Sequence, residues 1–104
     1  DTEYILLDEP LNILDMKHSV QIMQTLRTLC RDLNKTIIIV LHDINFASCY
    51  SDNIVALKKG EIVKSGPKDS VIQTEVLRNL YEMDVHIEEI RGQRICLYYD
   101  EVIF

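Results

Sequence analysis

Two short apolar runs constrain this chain more than any other feature. Residues 4–7 (YILL) and 36–41 (TIIIVL) are continuously apolar, and the second is dominated by β-branched side chains. Such runs are the pattern of strands covered on both faces in a parallel sheet, where helices lie above and below. Branching at Cβ favours the extended backbone, because it restricts χ1 least there. Between the runs, within residues 16–33, Val20, Met23, Leu26, Cys30 and Leu33 recur at close to helical spacing and form one stripe. Asp15 is placed to cap this helix, and Asn34 and Lys35 end it. A strand, a helix of about five turns and a second strand make a βαβ unit, whose crossover should be right-handed.

The remainder predicts shorter elements. A helix is expected over residues 44–50, with the Asp43 carboxylate accepting its free amide hydrogens. Residues 53–57 and 61–64 read as a hairpin joined through Lys58, Lys59 and Gly60. Gly66 and Pro67 break the pattern, and Pro67 fits the first position of a short helix. Thr74 is expected to cap a further helix carrying Val76, Leu77, Leu80 and Tyr81. A second hairpin follows, with arms at 85–90 and 94–99 and a turn at Arg91, Gly92 and Gln93. With no repeat, low-complexity segment or linker, the chain reads as one domain or one piece of a domain.

Composition narrows the function classes. At 104 residues and 47% hydrophobic, the chain suits a single small soluble domain with a modest buried fraction. The formal net charge of -6, with eleven scattered bases, argues against nucleic acid as a partner. Cys30, Cys49 and Cys96 are odd in number and lack CxxC spacing, which fits reduced thiols acting as small buried hydrophobes. No apolar stretch approaches the roughly 20 residues that cross a bilayer, so direct membrane insertion is not expected.

The chemistry gathers where the apolar runs stop. The first ends in Asp8 and Glu9, before Pro10. Residues at the end of a parallel strand emerge at the carboxyl edge of the sheet, where α/β proteins place ligands. Neighbouring carboxylates there can divide two tasks: one holds a hard cation such as Mg²⁺ through water, and the other orients or deprotonates a water. An apolar strand followed by Asp-Glu is the Walker B pattern, although an Asp at a strand end is as often only a turn or helix cap. His42 follows the second run and should emerge at the same edge, where an imidazole can donate to a γ-phosphate. A single histidine in such a place is more often structural; three polar groups converging on one edge shift the balance.

At these residues the sequence resembles a known family. "YILLDEPLNILD" and "TIIIVLHDINFASCYSDNIVALKKGEIVKSG" are similar to the C-terminal part of the ATP-binding subunit of a bacterial ABC transporter. Within that family, "LHDINFA", "LRNLYEMDVHI" and "RICLYYD" are most similar to importers of the iron-siderophore, heme and cobalamin group. The resemblance implies an α/β fold, part of a P-loop NTPase (RecA-like) core with parallel strands and then a pair of β-hairpins. It implies that Asp8 ligates Mg²⁺, that Glu9 is the general base for the attacking water, and that His42 is the switch histidine on the γ-phosphate. Asn12, Ile13, Leu14 and Asp15 would form the D-loop, with Asn12 and Asp15 at the nucleotide in a dimer of two such domains. ATP and Mg²⁺ are the implied cofactors, and transmembrane permease subunits and a second nucleotide-binding domain the implied partners. The implied location is cytoplasmic, on the inner face of the cell membrane.

The departures matter as much. A P-loop needs G-x-x-x-x-G-K-[ST] to cradle phosphate on backbone amides. Gly60, Gly66 and Gly92 fit no such pattern, and the Q-loop and the LSGGQ signature are also missing. All three would precede Asp1, so the 104 residues are expected to be the distal portion of a nucleotide-binding domain, inactive alone. A non-catalytic interaction or regulatory module that keeps the sheet is the competing reading, and a different P-loop ATPase fits the D-loop and switch histidine poorly. Ile13 stands where a small or polar D-loop residue is expected.

Overall fold

The computed structural model describes residues 3–11, 15–33 and 35–98. Its elements run β1 (Glu3–Asp8), α1 (Met16–Asp32), β2 (Lys35–Val40), α2 (Ile44–Tyr50), β3 (Asn53–Lys58), β4 (Glu61–Pro67), α3 (Lys68–Val71), α4 (Thr74–Tyr81), β5 (His86–Ile90) and β6 (Gln93–Leu97). The strands pair as β1–β2, β3–β4 and β5–β6. The chain divides into two compact units, residues 1–46 and 47–104.

In the first unit β1 and β2 are parallel, with Ile5 opposite Ile37, Leu7 opposite Ile39 and Asp8 opposite Val40. This is the expected strand–helix–strand order. Helix α1 packs against β2 and buries Met23 and Ser19, while Val20, Leu26 and Cys30 are half-buried. Burial of the strands departs from expectation. Ile5, Leu7, Ile37 and Ile39 are half-buried, whereas Tyr4, Leu6, Ile38 and Val40 are exposed, Leu6 at 70%. The register explains the alternation, because side chains at every second position share a face and a single helix covers only one.

The second unit is built on two tight turns. Lys59 and Gly60 (φ 52° and 78°) link β3 to β4, and Arg91 and Gly92 (φ 52° and 76°) link β5 to β6. Two successive residues with positive φ make the type I′ geometry that matches strand twist, and glycine in second place adopts it without a Cβ clash. Gln93, expected in the second turn, already pairs with Ile90. Strand β4 runs past the expected Lys64 to Pro67, which pairs with Asn53, and a register irregularity lies between Ala56 and Leu57. The core comprises Val71, Ile72, Leu77 and Cys96, each at most 1% exposed, with Ala56 and Val85. Ser48, buried at the start of this unit, donates its hydroxyl to the Arg94 carbonyl at 2.6 Å.

Helix α3 starts one residue later than expected: Pro67, placed by the sequence at the first helical position, is its N-cap and the last residue of β4. The N-cap of α4 is a correction: Gln73, with φ -131° and ψ 146°, occupies it, and Thr74 is already helical. Gln73 is held by its own N–H on the Val71 carbonyl (2.8 Å) and its side-chain amide on the Asp69 carbonyl (2.6 Å). These bonds turn the chain one residue before the threonine.

Candidate functional site

The candidate site forms where the parallel strands end. Asp8 and Val40 are the last paired residues, and the Glu9 N–H extends the ladder by donating to the Val40 carbonyl at 3.0 Å. Glu9 then takes φ 50°, in the left-handed region. A non-glycine residue enters this region at a cost of about 1–2 kcal/mol. Lys59 and Arg91 adopt it in hairpin turns and Glu82 at the end of α4; Glu9 alone among the described residues does so at the end of a parallel strand. A glycine would relieve the strain and lose the carboxylate.

Strand β2 ends at Val40, and His42 follows Leu41. The Nε2 of His42 lies in hydrogen-bond contact with Oε1 of Glu9. An ionised carboxylate only accepts, so the ring nitrogen donates. The His42 side chain is 81% exposed and that of Glu9 36%, and an ion pair open to water adds little stability. The contact thus joins a proton acceptor and a proton donor at the carboxyl edge without serving as a structural clamp. Asp43 then fixes the start of α2, its Oδ1 accepting the N–H groups of Asn45 (2.8 Å) and Phe46 (3.1 Å), as expected of a cap. His42 therefore lies in the chain between a strand end and a capped helix start.

Asp8 is exposed beside this pair in sequence. Among the described residues no group of three or more His, Cys, Asp or Glu side chains forms a metal cage. A single exposed carboxylate fits Mg²⁺, which keeps most of its water and takes one or two protein oxygens alongside phosphate.

Asp15 caps α1, its Oδ1 accepting the His18 N–H at 2.8 Å. The same oxygen lies 2.8 Å from Nδ1 of His18. Sequence reading anticipated the cap and missed His18; the signal was a D-x-x-H spacing at a helix start. Asn12, Ile13 and Leu14 lie outside the described residues. Cys96 is buried, and Cys30 and Cys49 are half-buried. No helix among the described residues is long and apolar enough to cross a membrane.

No protein-family model matches the chain. Individual proteins do. The chain is 61% identical over 99 residues to the petrobactin import ATP-binding protein YclP of Bacillus subtilis (strain 168), covering 95% of this chain and 39% of that protein. It is 47% identical over 92 residues to the petrobactin import ATP-binding protein FatE of Bacillus anthracis, covering 88% and 36%. With the iron(3+)-hydroxamate import ATP-binding protein FhuC of Bacillus subtilis (strain 168), it shares 37% identity over 101 residues, covering 95% and 38%.

Among solved structures, a metal-chelate type ABC transporter in an inward-facing conformation superposes with a TM-score of 0.78 at 22% identity. That match covers 92% of this chain and 41% of the other, and it speaks for the fold. CbiO1 of Clostridium perfringens, part of the ABC transporter complex cbiONQ, superposes with a TM-score of 0.63 at 31% identity, covering 74% and 31%. The homologues of this chain are therefore ATP-binding subunits of ABC transporters, among them those of petrobactin and iron-hydroxamate import, and the chain corresponds to 36–39% of the length of each.

Proposed function

We propose that the chain is the C-terminal, Walker B to switch-histidine portion of an ATPase subunit that drives import of a ferric siderophore. The observation that carries the reading is the Glu9–His42 contact at the carboxyl edge of the parallel pair. In-line phosphoryl transfer needs positioned groups and charge neutralisation more than covalent chemistry. Glu9 is the general base that takes a proton from the attacking water. His42, whose Nε2 donates to Glu9 in this structure, would turn that donor to the γ-phosphate oxygens as charge shifts onto them. Asp8 would hold Mg²⁺ through water, and the ion would neutralise phosphate charge. Asn12 and Asp15 belong to the surface at which two copies of the subunit enclose nucleotide.

The names of the relatives support a ferric siderophore as the cargo, petrobactin being common to two of them. The proposed partners are transmembrane permease subunits and a second copy of the same subunit, with the protein on the cytoplasmic face of the membrane. The phosphate cradle and its lysine are not in these 104 residues. The groups that are here include carboxylates, which repel a triphosphate unless a cation intervenes. The 104 residues alone should therefore show no ATPase activity and bind Mg-ATP only at about millimolar Kd or weaker. Calorimetric titration yielding saturable micromolar binding would contradict this.

The decisive experiment is Glu9→Gln in the full-length subunit. The amide keeps the shape but cannot accept the proton, so ATP binding should persist while turnover falls by about 10²–10⁴. Wild-type steady-state hydrolysis by that variant removes the general-base assignment.

A further inference from the structure

The carboxylate of Asp15 is held twice through one oxygen. An N-cap side chain ordinarily accepts a backbone N–H near the start of its helix, and Asp15 does so from His18 at 2.8 Å. The ring of the same residue brings Nδ1 to 2.8 Å from the same Oδ1. Because an ionised carboxylate only accepts, Nδ1 must carry the hydrogen. Residues three apart on a helix are neighbours, which makes the second bond geometrically accessible. The side chains of His18 and Asp15 remain 61% and 65% exposed.

An exposed pair of this kind contributes little to stability. Its consequence lies in orientation instead. One hydrogen bond leaves a carboxylate free to swing about its side-chain torsions, whereas two donors converging on Oδ1 narrow where that oxygen can sit. Oδ2 is then the oxygen left to accept from a group outside the helix.

We propose that His18 is a positioning residue for Asp15, holding its carboxylate ready for the nucleotide-enclosing surface between two copies of the subunit. The inference rests on the reading of Asp15 given above and adds a residue to it. His18 touches neither nucleotide nor the reacting water; it acts through Asp15.

The test uses the full-length subunit assembled with its permease and measures steady-state ATP hydrolysis. Asp15→Ala should lower kcat by about tenfold or more, since misplacement in a catalytic assembly is costly. His18→Leu, which keeps bulk and removes the donor, should lower kcat by about two- to tenfold, the range one hydrogen bond commands, with KM for ATP unchanged. His18→Asn, whose amide donates from near the position of Nδ1, should restore most of the rate. In the Asp15→Ala background His18→Leu should cost nothing more, because the partner through which it acts is gone.

The inference is overturned if His18→Leu turns over like wild type while Asp15→Ala is slow, if Asn rescues no better than Leu, or if the loss is the same with and without Asp15. Wild-type turnover in Asp15→Ala removes the reading of Asp15 itself, and the inference with it. If His18→Leu does not assemble, His18→Gln, which moves the amide donor away from the Nδ1 position, takes its place and should be slow where Asn is fast.

Discussion

Residues 47–104 enclose Val71, Ile72, Leu77 and Cys96 almost completely and carry no group proposed for the chemistry, whereas residues 1–46 bury Met23 and Ser19 and carry Asp8, Glu9, Asp15 and His42. The first unit also leaves Tyr4, Leu6, Ile38 and Val40 open on one face of its sheet. Stability and chemistry thus fall to different stretches of the same chain. The difference has a simple origin. Two hairpins and two short helices wrap apolar side chains from several directions, while one helix on a two-stranded sheet covers one side. Contiguous exposed apolar residues are a feature of interaction surfaces, and the second unit has its own, because Val55, Leu57 and Ile62 stand exposed on its first hairpin; the units differ in the core each encloses.

Three substitutions probe this division. The largest effect is expected from His42→Ala in the full-length subunit. Loss of a donor aimed at developing phosphate charge costs about 10²–10³ in rate, and the exposed position of the ring predicts an almost unchanged melting temperature. Normal hydrolysis would make His42 structural and break the assignment of chemistry to the first unit.

Leu77→Ala should do the reverse. Its side chain is fully enclosed, and truncating such a leucine costs about 2–5 kcal/mol. Denaturant unfolding should report the loss, while turnover per folded full-length molecule stays near wild type. A cost below about 1 kcal/mol would mean that the core of the second unit collapses around the gap and is less rigid than its burial implies.

The smallest effect is expected from Leu6→Ser in the 104-residue chain. At 70% exposure the change should fall within about 0.5 kcal/mol, as for other surface positions. A loss above about 1 kcal/mol would show that this face is covered even in the isolated chain. The same substitution in the full-length subunit sharpens the comparison, because a larger cost there would show that the face becomes buried.

Much of the architecture is legible in the amino-acid sequence. The β-branched run at 36–41 and the helical spacing of Met23 with its neighbours dictate strand and helix, because both patterns are properties of the local backbone. Glycine after Lys59 and after Arg91 marks both hairpins through the positive φ their turns require. Asp43 and Asp15 announce helix starts through side chains that accept backbone amides. The position of Glu9 and His42 at the ends of two adjacent parallel strands follows from the same patterns, so their meeting at one edge is foreseeable.

Other features need the folded chain. The exposure of Tyr4 and Leu6 depends on what lies above each face of the sheet, and an apolar run reads the same whether one face or both are covered. Thr74 loses the cap to Gln73 because bonds to Val71 and Asp69 turn the chain one residue early, a competition that propensity does not record. The burial of Ser48 depends on a carbonyl supplied by a strand 46 residues away. The left-handed turn of Glu9 is likewise invisible in the sequence, and the D-x-x-H spacing places His18 near Asp15 without fixing the ring on its carboxylate. Local torsional preference and side-chain period settle which elements form and which chemical groups stand at their ends, and both are written residue by residue along the chain. Which faces are covered, and how Glu9 and His42 are brought together at the candidate site, depends on contacts between residues far apart in that chain.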